Sequence, residues 1–264
     1  MHSNSIQSMI YIIVGASRGL GASLVSECLN KGFRVIGIGR TKKYNIEKIE
    51  IWKKIGLFNY VQADIGESSS VNIMKSAVDT CGGNPVCIIF NAAIIEPDVG
   101  PNGNLMFDVF KQVNRTGVDG LGNMLEAFSN YLISHGHMLV GISSISAWVP
   151  PTGGNKIAYP ASKAYLDMAM RSLRLLWSRQ VHIMTVHLGH MGGGGSWLVP
   201  KYDIVAQRIV NATLQHHPPE SICMSAFYCG AYTIMRIMPD RMISRVVGIV
   251  KSILNLISKG KKIR

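Results

Sequence analysis

Apolar residues fall along this chain in short, β-branched runs separated by stretches of helical period. Residues 9–14 (Met-Ile-Tyr-Ile-Ile-Val) are apolar without alternation, the pattern of a parallel strand buried on both faces. Ala22, Leu24, Val25, Cys28 and Leu29 then repeat at helical spacing, and residues 33–38 give a second strand directly afterwards. Residues 86–90 read as the fourth strand, 138–144 as the fifth and 181–187 as the sixth. Tyr165, Leu166, Met168, Ala169, Leu173, Leu175 and Leu176 predict a helix ahead of the sixth strand. Ile204, Val205, Ile209, Val210 and Leu214 predict an amphipathic helix over 203–215, and residues 222–226 are the candidate seventh strand. Strand and helix alternate without repeats, low-complexity tracts or a long linker. The pattern predicts a single α/β domain over 1–264: a doubly wound parallel sheet of about seven strands, helices on both faces.

Two places in this frame carry chemistry. Gly15-Ala-Ser-Arg-Gly19-Leu-Gly21 joins the first strand to the first helix, the context a phosphate-binding loop needs. Gly15 permits the tight turn, Gly19 lets the backbone approach a pyrophosphate, and Gly21 lets helix and strand pack closely. The second place is Tyr159-Pro-Ala-Ser-Lys163, whose phenol and ammonium lie four residues apart on one helical face. A positive Lys163 beside Tyr159 favours phenolate and lowers a pKa that is ordinarily about 10. That yields a proton donor for reducing a carbonyl near neutral pH.

These motifs, in this order, resemble the short-chain dehydrogenase/reductase family, whose glycine pattern is Thr-Gly-x-x-x-Gly-x-Gly; Val14 stands in place of the Thr. Ala63-Asp64-Ile65 is similar to the family's Asp-Val pair beside the adenine, and Asn91-Ala-Ala93 to its Asn-Ala-Gly. Val113-Asn114-Arg-Thr-Gly117 resembles its Val-Asn-x-x-Gly. The resemblance implies a Rossmann-like fold and four catalytic residues: Ser144, Tyr159, Lys163 and Asn114. Ser144 would hold a substrate carbonyl oxygen while Tyr159 protonates it as hydride arrives from a nicotinamide. Lys163 would bind the nicotinamide ribose and lower the Tyr159 pKa. Asn114 would link Lys163 to solvent through a water at a helix kink. The cofactor cleft implied is Gly15, Ser17, Arg18, Gly19, Leu20, Gly21, Arg40, Asp64, Ile65, Asn91, Ala92, Tyr159, Lys163, Gly189 and Met191. The serine has two candidates. Ser146 lies thirteen residues before Tyr159, the commoner family spacing, whereas Ile142-Ser-Ser-Ile-Ser-Ala147 aligns Ser144 with the family's Ile-Ser-Ser-x-x-Gly. We adopt Ser144, with the extra length falling in the loop 150–156.

Charge then selects a cofactor. The second strand runs into Gly39-Arg40-Thr-Lys42-Lys43 with no carboxylate, and an acidic residue there is what holds the ribose of NAD. Arg40 and Arg18 would instead meet a 2′-phosphate, so the expected cofactor is NADPH/NADP+. After the sixth strand the chain departs from the family: Leu188 stands for Pro, and Gly193 occupies the expected Thr position. Four successive glycines, 192–195, lose much entropy on ordering; residues 189–202 are therefore expected to form a mobile substrate lid, a merely disordered loop being the alternative. Trp148, Met191 and Trp197, with Val149, Leu198 and Ile94, predict a hydrophobic or aromatic ketone substrate, and Asn155 and Lys156 are expected to face solvent. The expected function is an NADPH-dependent carbonyl reductase. Two alternatives stay open: a cofactor-binding sensor or scaffold without turnover, and an epimerase or dehydratase using the same Tyr–Lys pair.

The net charge of +12 comes from dispersed basic residues with no nucleic-acid motif, so no nucleic-acid partner is expected. Residues 235–264 form a basic amphipathic segment, with Ile237, Met242, Val246 and Ile253 interleaved with Arg241, Arg245 and Lys251. It is expected to pack on the core or a second subunit, with peripheral membrane contact as the competitor. The resemblance implies a homodimer or homotetramer through helices beginning near Leu105 and Tyr159. No apolar run reaches transmembrane length. Cys28, Cys81, Cys87, Cys223 and Cys229 are scattered and odd in number, which reads as free thiols in a reducing cytoplasm. His182, His187 and His190 are close in sequence, but strand alternation puts His182 and His187 on opposite faces, so no metal site is expected.

Overall fold

The computed structural model describes residues 9–41, 53–54, 56–149, 154–189, 191, 200–224, 226–239, 241–243 and 245. Its centre is a seven-stranded sheet in which every pairing is parallel. The strands are β1 (Ile10–Val14), β2 (Arg34–Gly39), β3 (Phe58–Gln62), β4 (Val86–Phe90), β5 (Met138–Ser144), β6 (His182–Leu188) and β7 (Ser221–Cys223). Their order across the sheet is β3-β2-β1-β4-β5-β6-β7. The winding reverses between β1 and β4, and such a reversal opens a crevice beyond the carboxyl ends of the two strands.

Seven α-helices among the described residues cover the sheet: α1 (Gly19–Asn30), α2 (Ser70–Asp79), α3 (Phe107–Asn114), α4 (Gly120–His135), α5 (Ala158–Leu176), α6 (Tyr202–Thr213) and α7 (Ala226–Met235). All five residues of β1 are buried, and this explains the missing alternation in the sequence. Tyr11 and Ile13 join a core layer with Leu24, Val25 and Ile209 from α1 and α6. Ile10, Ile12 and Val14 point the other way, into a layer with Met74, Leu121, Phe128, Leu166 and Met170 from α2, α4 and α5. The helix α3 runs into α4 through a π turn at Arg115–Asp119, which places an irregular backbone directly after Asn114.

Several expectations are adjusted. The seventh strand is Ser221–Cys223 rather than 222–226, and the helix expected over 203–215 is Tyr202–Thr213. The free-thiol reading fails for two of five cysteines: Cys223 and Cys229 are joined by a disulfide, with Cα atoms 6.4 Å apart. The turn from β7 into α7 brings together two residues whose spacing has no redox-motif signature. Cys28, Cys81 and Cys87 are free and buried. Of the tail, only 235–239, 241–243 and 245 are described, and Ile237 and Met242 in it are exposed. Among the described residues no helix is long and apolar enough to cross a membrane.

Candidate active site

A cleft of about 1050 Å³ lies over the crevice, walled by the first glycine loop, the ends of β2, β4, β5 and β6, and the start of α5. Its floor is set by backbone geometry. Gly15 and Gly19 have φ of +87° and +55°, values that L side chains rarely adopt. A Cβ on Gly15 would stand 2.7 Å from the Ala92 backbone, and one on Gly21 only 1.9 Å from the Gly15 carbonyl oxygen. Gly21 therefore lies behind the cleft and lets α1 start against the end of β1. The Asn91 side-chain amide donates to the Gly15 carbonyl at 3.0 Å, tying the end of β4 to the loop. No side chain caps the amino end of α1, and Arg18, Gly19 and Leu20 there line the cleft, which makes it a ready site for a pyrophosphate.

Around this floor stand Ser17, Arg18, Leu20, Arg40, Thr41, Asp64, Ile65 and Ala92. Arg18 and Arg40 are both exposed at the cleft edge. The Asp64 carboxylate accepts from the Gly66 amide at 3.1 Å, which folds the turn after β3. Residues Gly189 and Met191 close the far wall. The chain thus meets the test of fit for a dinucleotide: a glycine turn at an uncapped helix amino end, with the guanidinium groups of Arg18 and Arg40 on the cleft.

Ser144 ends β5, and its hydroxyl accepts the Ser146 amide at 3.1 Å and lies 3.4 Å from the Leu188 carbonyl. It stands close enough to the Tyr159 phenol to favour its ionised form. Ser146 lines the same cleft. Lys163 is buried, sits with its Nζ 5.9 Å from the centre of the Tyr159 ring, and donates to the Ile142 carbonyl at 2.7 Å. Burial lowers the Lys163 pKa to about 8, and the charge of Asp167 opposes that fall. For Tyr159, burial raises the pKa and the Ser144 hydroxyl pulls it back. The expected lowering of the Tyr159 pKa is thus not what prevails: burial of the phenol raises it.

The structure separates two sequence candidates from this group. Asn114 is half-buried and does not line the cleft; Thr116, within the π turn, does. Trp148 does not face the cleft, which corrects its assignment to the substrate. Its indole N–H donates to Asp167 at 3.1 Å, and its ring lies 4.5 Å from that of His187. A half-buried indole must satisfy its N–H, and Asp167 offers the acceptor. Trp197 and the glycines 192–195 lie outside the described residues. Asn155, exposed as expected, and half-buried Lys156 both line the cleft.

Two residues escaped the sequence reading. Tyr202, at the start of α6, lines the cleft with its ring 3.8 Å from where a Gly19 Cβ would be. Asp98 is fully buried, and its two carboxylate oxygens accept the amides of Ile157 and Ala158, each at 2.7 Å. It caps the helix that carries Tyr159 and Lys163 from about sixty residues away. No local spacing could announce it.

A doubly wound parallel sheet with a glycine loop at its switch point, and a Ser–Tyr–Lys group facing that loop, defines a dinucleotide-binding oxidoreductase. Residues 9–194 match the family model of the short chain dehydrogenases, and the chain belongs to that family. It is 30% identical over 167 residues to a benzil reductase ((S)-benzoin forming) of Bacillus subtilis, covering 62% of this chain and 65% of that protein. To an NADP-dependent 3-hydroxy acid dehydrogenase of Shigella flexneri it is 25% identical over 190 residues, 70% of this chain and 73% of the other. Its fold is similar to that of an alcohol dehydrogenase from Thermococcus sibiricus, solved with 5-hydroxy-NADP. The TM-score is 0.69 at 21% identity, over 83% of this chain and 97% of that one.

Proposed function

We propose that this chain is an NADPH-dependent carbonyl reductase acting on hydrophobic or aromatic ketones, and on the matching alcohols in reverse. The observation that carries the reading is the convergence of Ser144, Tyr159 and Lys163 on one cleft opposite the glycine loop. NADPH, held against the amides of that loop, supplies the hydride. Arg18 and Arg40 support the phosphorylated cofactor, since both edge the cleft and no carboxylate ends β2. The names of the two curated relatives support a carbonyl or hydroxyl substrate.

The chain's own groups do the positioning and the proton work. The Ser144 hydroxyl holds the substrate oxygen next to the Tyr159 phenol, whose ionised form it favours. The raised pKa of Tyr159 keeps its proton in place at neutral pH until negative charge develops on that oxygen. Lys163 provides the adjacent positive charge, and in that role its retention of a proton matters. Ile94, Ile95, Ile145, Leu188 and Met191 give the cleft apolar walls, which support an apolar substrate body. Exposed Met106, Phe107, Tyr165 and Met168 on and beside α3 and on α5 support assembly with a second copy of the chain.

The test is NADPH oxidation against cyclic aromatic ketones, steroid ketones and ketoacyl thioesters, with NADH in parallel. Turnover with NADPH well above that with NADH is expected. Tight NADPH binding without turnover on any ketone would overturn the reductase and favour a nucleotide-binding sensor.

A further inference from the structure

Behind the cleft wall lies a second polar cluster that the reaction above does not use. Asp167 follows Lys163 by one helical turn on α5, so the two side chains share a helical face. The Asp167 carboxylate is only 16% exposed. Its Oδ2 accepts the His187 Nε2–H at 3.0 Å and the Trp148 indole N–H at 3.1 Å. The His187 Nδ1 lies 3.2 Å from the Ser221 hydroxyl. The other Asp167 oxygen, Oδ1, is buried without a hydrogen-bond partner. A buried carboxylate acts strongly on the ionisable groups around it.

One turn back on the same face of α5, Lys163 feels that charge. Facing Lys163 from β5 are the Ile142 carbonyl and the hydroxyls of Ser143 and Ser144; from the π turn, Thr116; from α5, Tyr159 and Asp167. His187 on β6 is reached only through Asp167. Arg115 is turned to Glu67 at the surface, away from this group. Tyr159 is a neutral phenol at neutral pH, so Asp167 is the anion among them. We propose that Asp167, fixed by His187 and Trp148, is a positioning residue: a counter-charge behind the cleft that keeps the Lys163 ammonium protonated at neutral pH. Its kinetic consequence rests on the reductase reading; its effect on Lys163 does not.

The direction follows from the charges. Burial favours neutral Lys163, and Asp167 opposes it. Removing the carboxylate therefore lets Lys163 lose its proton at lower pH. The readout is NMR of protein carrying 13Cε-labelled lysine, with the Lys163 signal assigned by its loss in Lys163→Arg. In the native protein the signal should titrate with a midpoint at about 8. In Asp167→Asn, which preserves acceptors for His187 and Trp148, the midpoint should fall by about one unit or more. Asp167→Glu should hold it near the native value, and so should His187→Gln, which replaces the imidazole with an amide donor and leaves the anion. Thermal melts check each variant first; if Asp167→Asn does not fold, Asp167→Ser carries the same prediction. An unmoved midpoint in the charge-free variant overturns the proposal.

The pH profile of NADPH-dependent ketone reduction is measured on the same proteins, and its alkaline limb should follow Lys163 downward. A midpoint that moves with no turnover on any ketone would sink the reductase reading and leave the counter-charge standing. Turnover with an unmoved midpoint would do the reverse.

Discussion

Replacing Asp98 with Ala should loosen the helix that carries the reacting side chains, by an amount the geometry bounds. The carboxylate is fully buried and accepts two amide protons at 2.7 Å, at the end of α5 where the helix dipole is positive. Hydrogen bonds to a charged group contribute roughly 1.5–3 kcal/mol each. The two do not count equally. Ile157 is 46% exposed, so its amide can turn to water, whereas Ala158 is fully buried and its amide would be stranded. The expected loss is therefore about 3 kcal/mol, mostly from Ala158. For a chain of this length that lowers Tm by about 5 °C, using an unfolding entropy of about 2 cal/mol/K per residue. Asp98→Asn, which keeps one acceptor oxygen, should lose about half as much. Calorimetry or a urea titration measures both. An Asp98→Ala protein that melts within about 1 °C of the native one would refute the assignment of Asp98 as the cap of α5. The same variant should lose kcat more than NADPH affinity, since Tyr159 and Lys163 ride on α5 and the glycine loop does not.

Gly21→Ala must force apart the Gly15 carbonyl and the Asn91 amide, 1.9 and 2.8 Å from the new Cβ. Calorimetric titration should show NADPH affinity down by about tenfold or more, and an unchanged Kd would contradict the role given to the loop. Arg40→Ala should lower the ratio of NADPH to NADH affinity by about tenfold; a ratio that stays put would remove the argument for a 2′-phosphate site. Lys163→Met bears on pH. The lysine's pKa falls from 10.5 unfolded to about 8 folded, so the unfolded chain holds the extra proton between those values and stability from this group rises with pH there. Below about pH 8 the buried charge costs about 3 kcal/mol. The variant should therefore gain stability over the native protein at pH 7, less what the lost bond to Ile142 returns, and the gain should fade toward pH 10.5. Urea titrations at both pH values decide it; a loss at pH 7 with recovery at pH 10 would reverse the sign.

Features written in consecutive residues were legible before the structure. The unbroken apolar run of β1, the glycine turn after it and the Tyr159–Lys163 spacing each depend on neighbours in sequence, and each fell where expected. Features made by distant residues were not. Asp98 is one carboxylate in a loop, and its significance comes from amides 59 and 60 residues away. Trp148 read as one of the apolar residues around a substrate, yet the demand of its indole N–H for an acceptor turned it toward Asp167. The Tyr159 pKa depends on how deeply the phenol is buried, and spacing on a helix does not report depth. Asn155 and Lys156 followed the usual expectation for polar loop residues, but the turn fixed by Asp98 brings them to the cleft.

The central claim is that Tyr159 delivers the proton in a cleft shaped for NADPH and a ketone. The most direct measurement is single-turnover reduction of an accepted ketone by the native protein and by Tyr159→Phe, both saturated with NADPH. General acid catalysis contributes roughly 10²–10⁴-fold, so the variant should bind NADPH as tightly as the native protein and reduce the ketone slower by a factor in that range. A variant that reduces the ketone at the native rate would contradict the account.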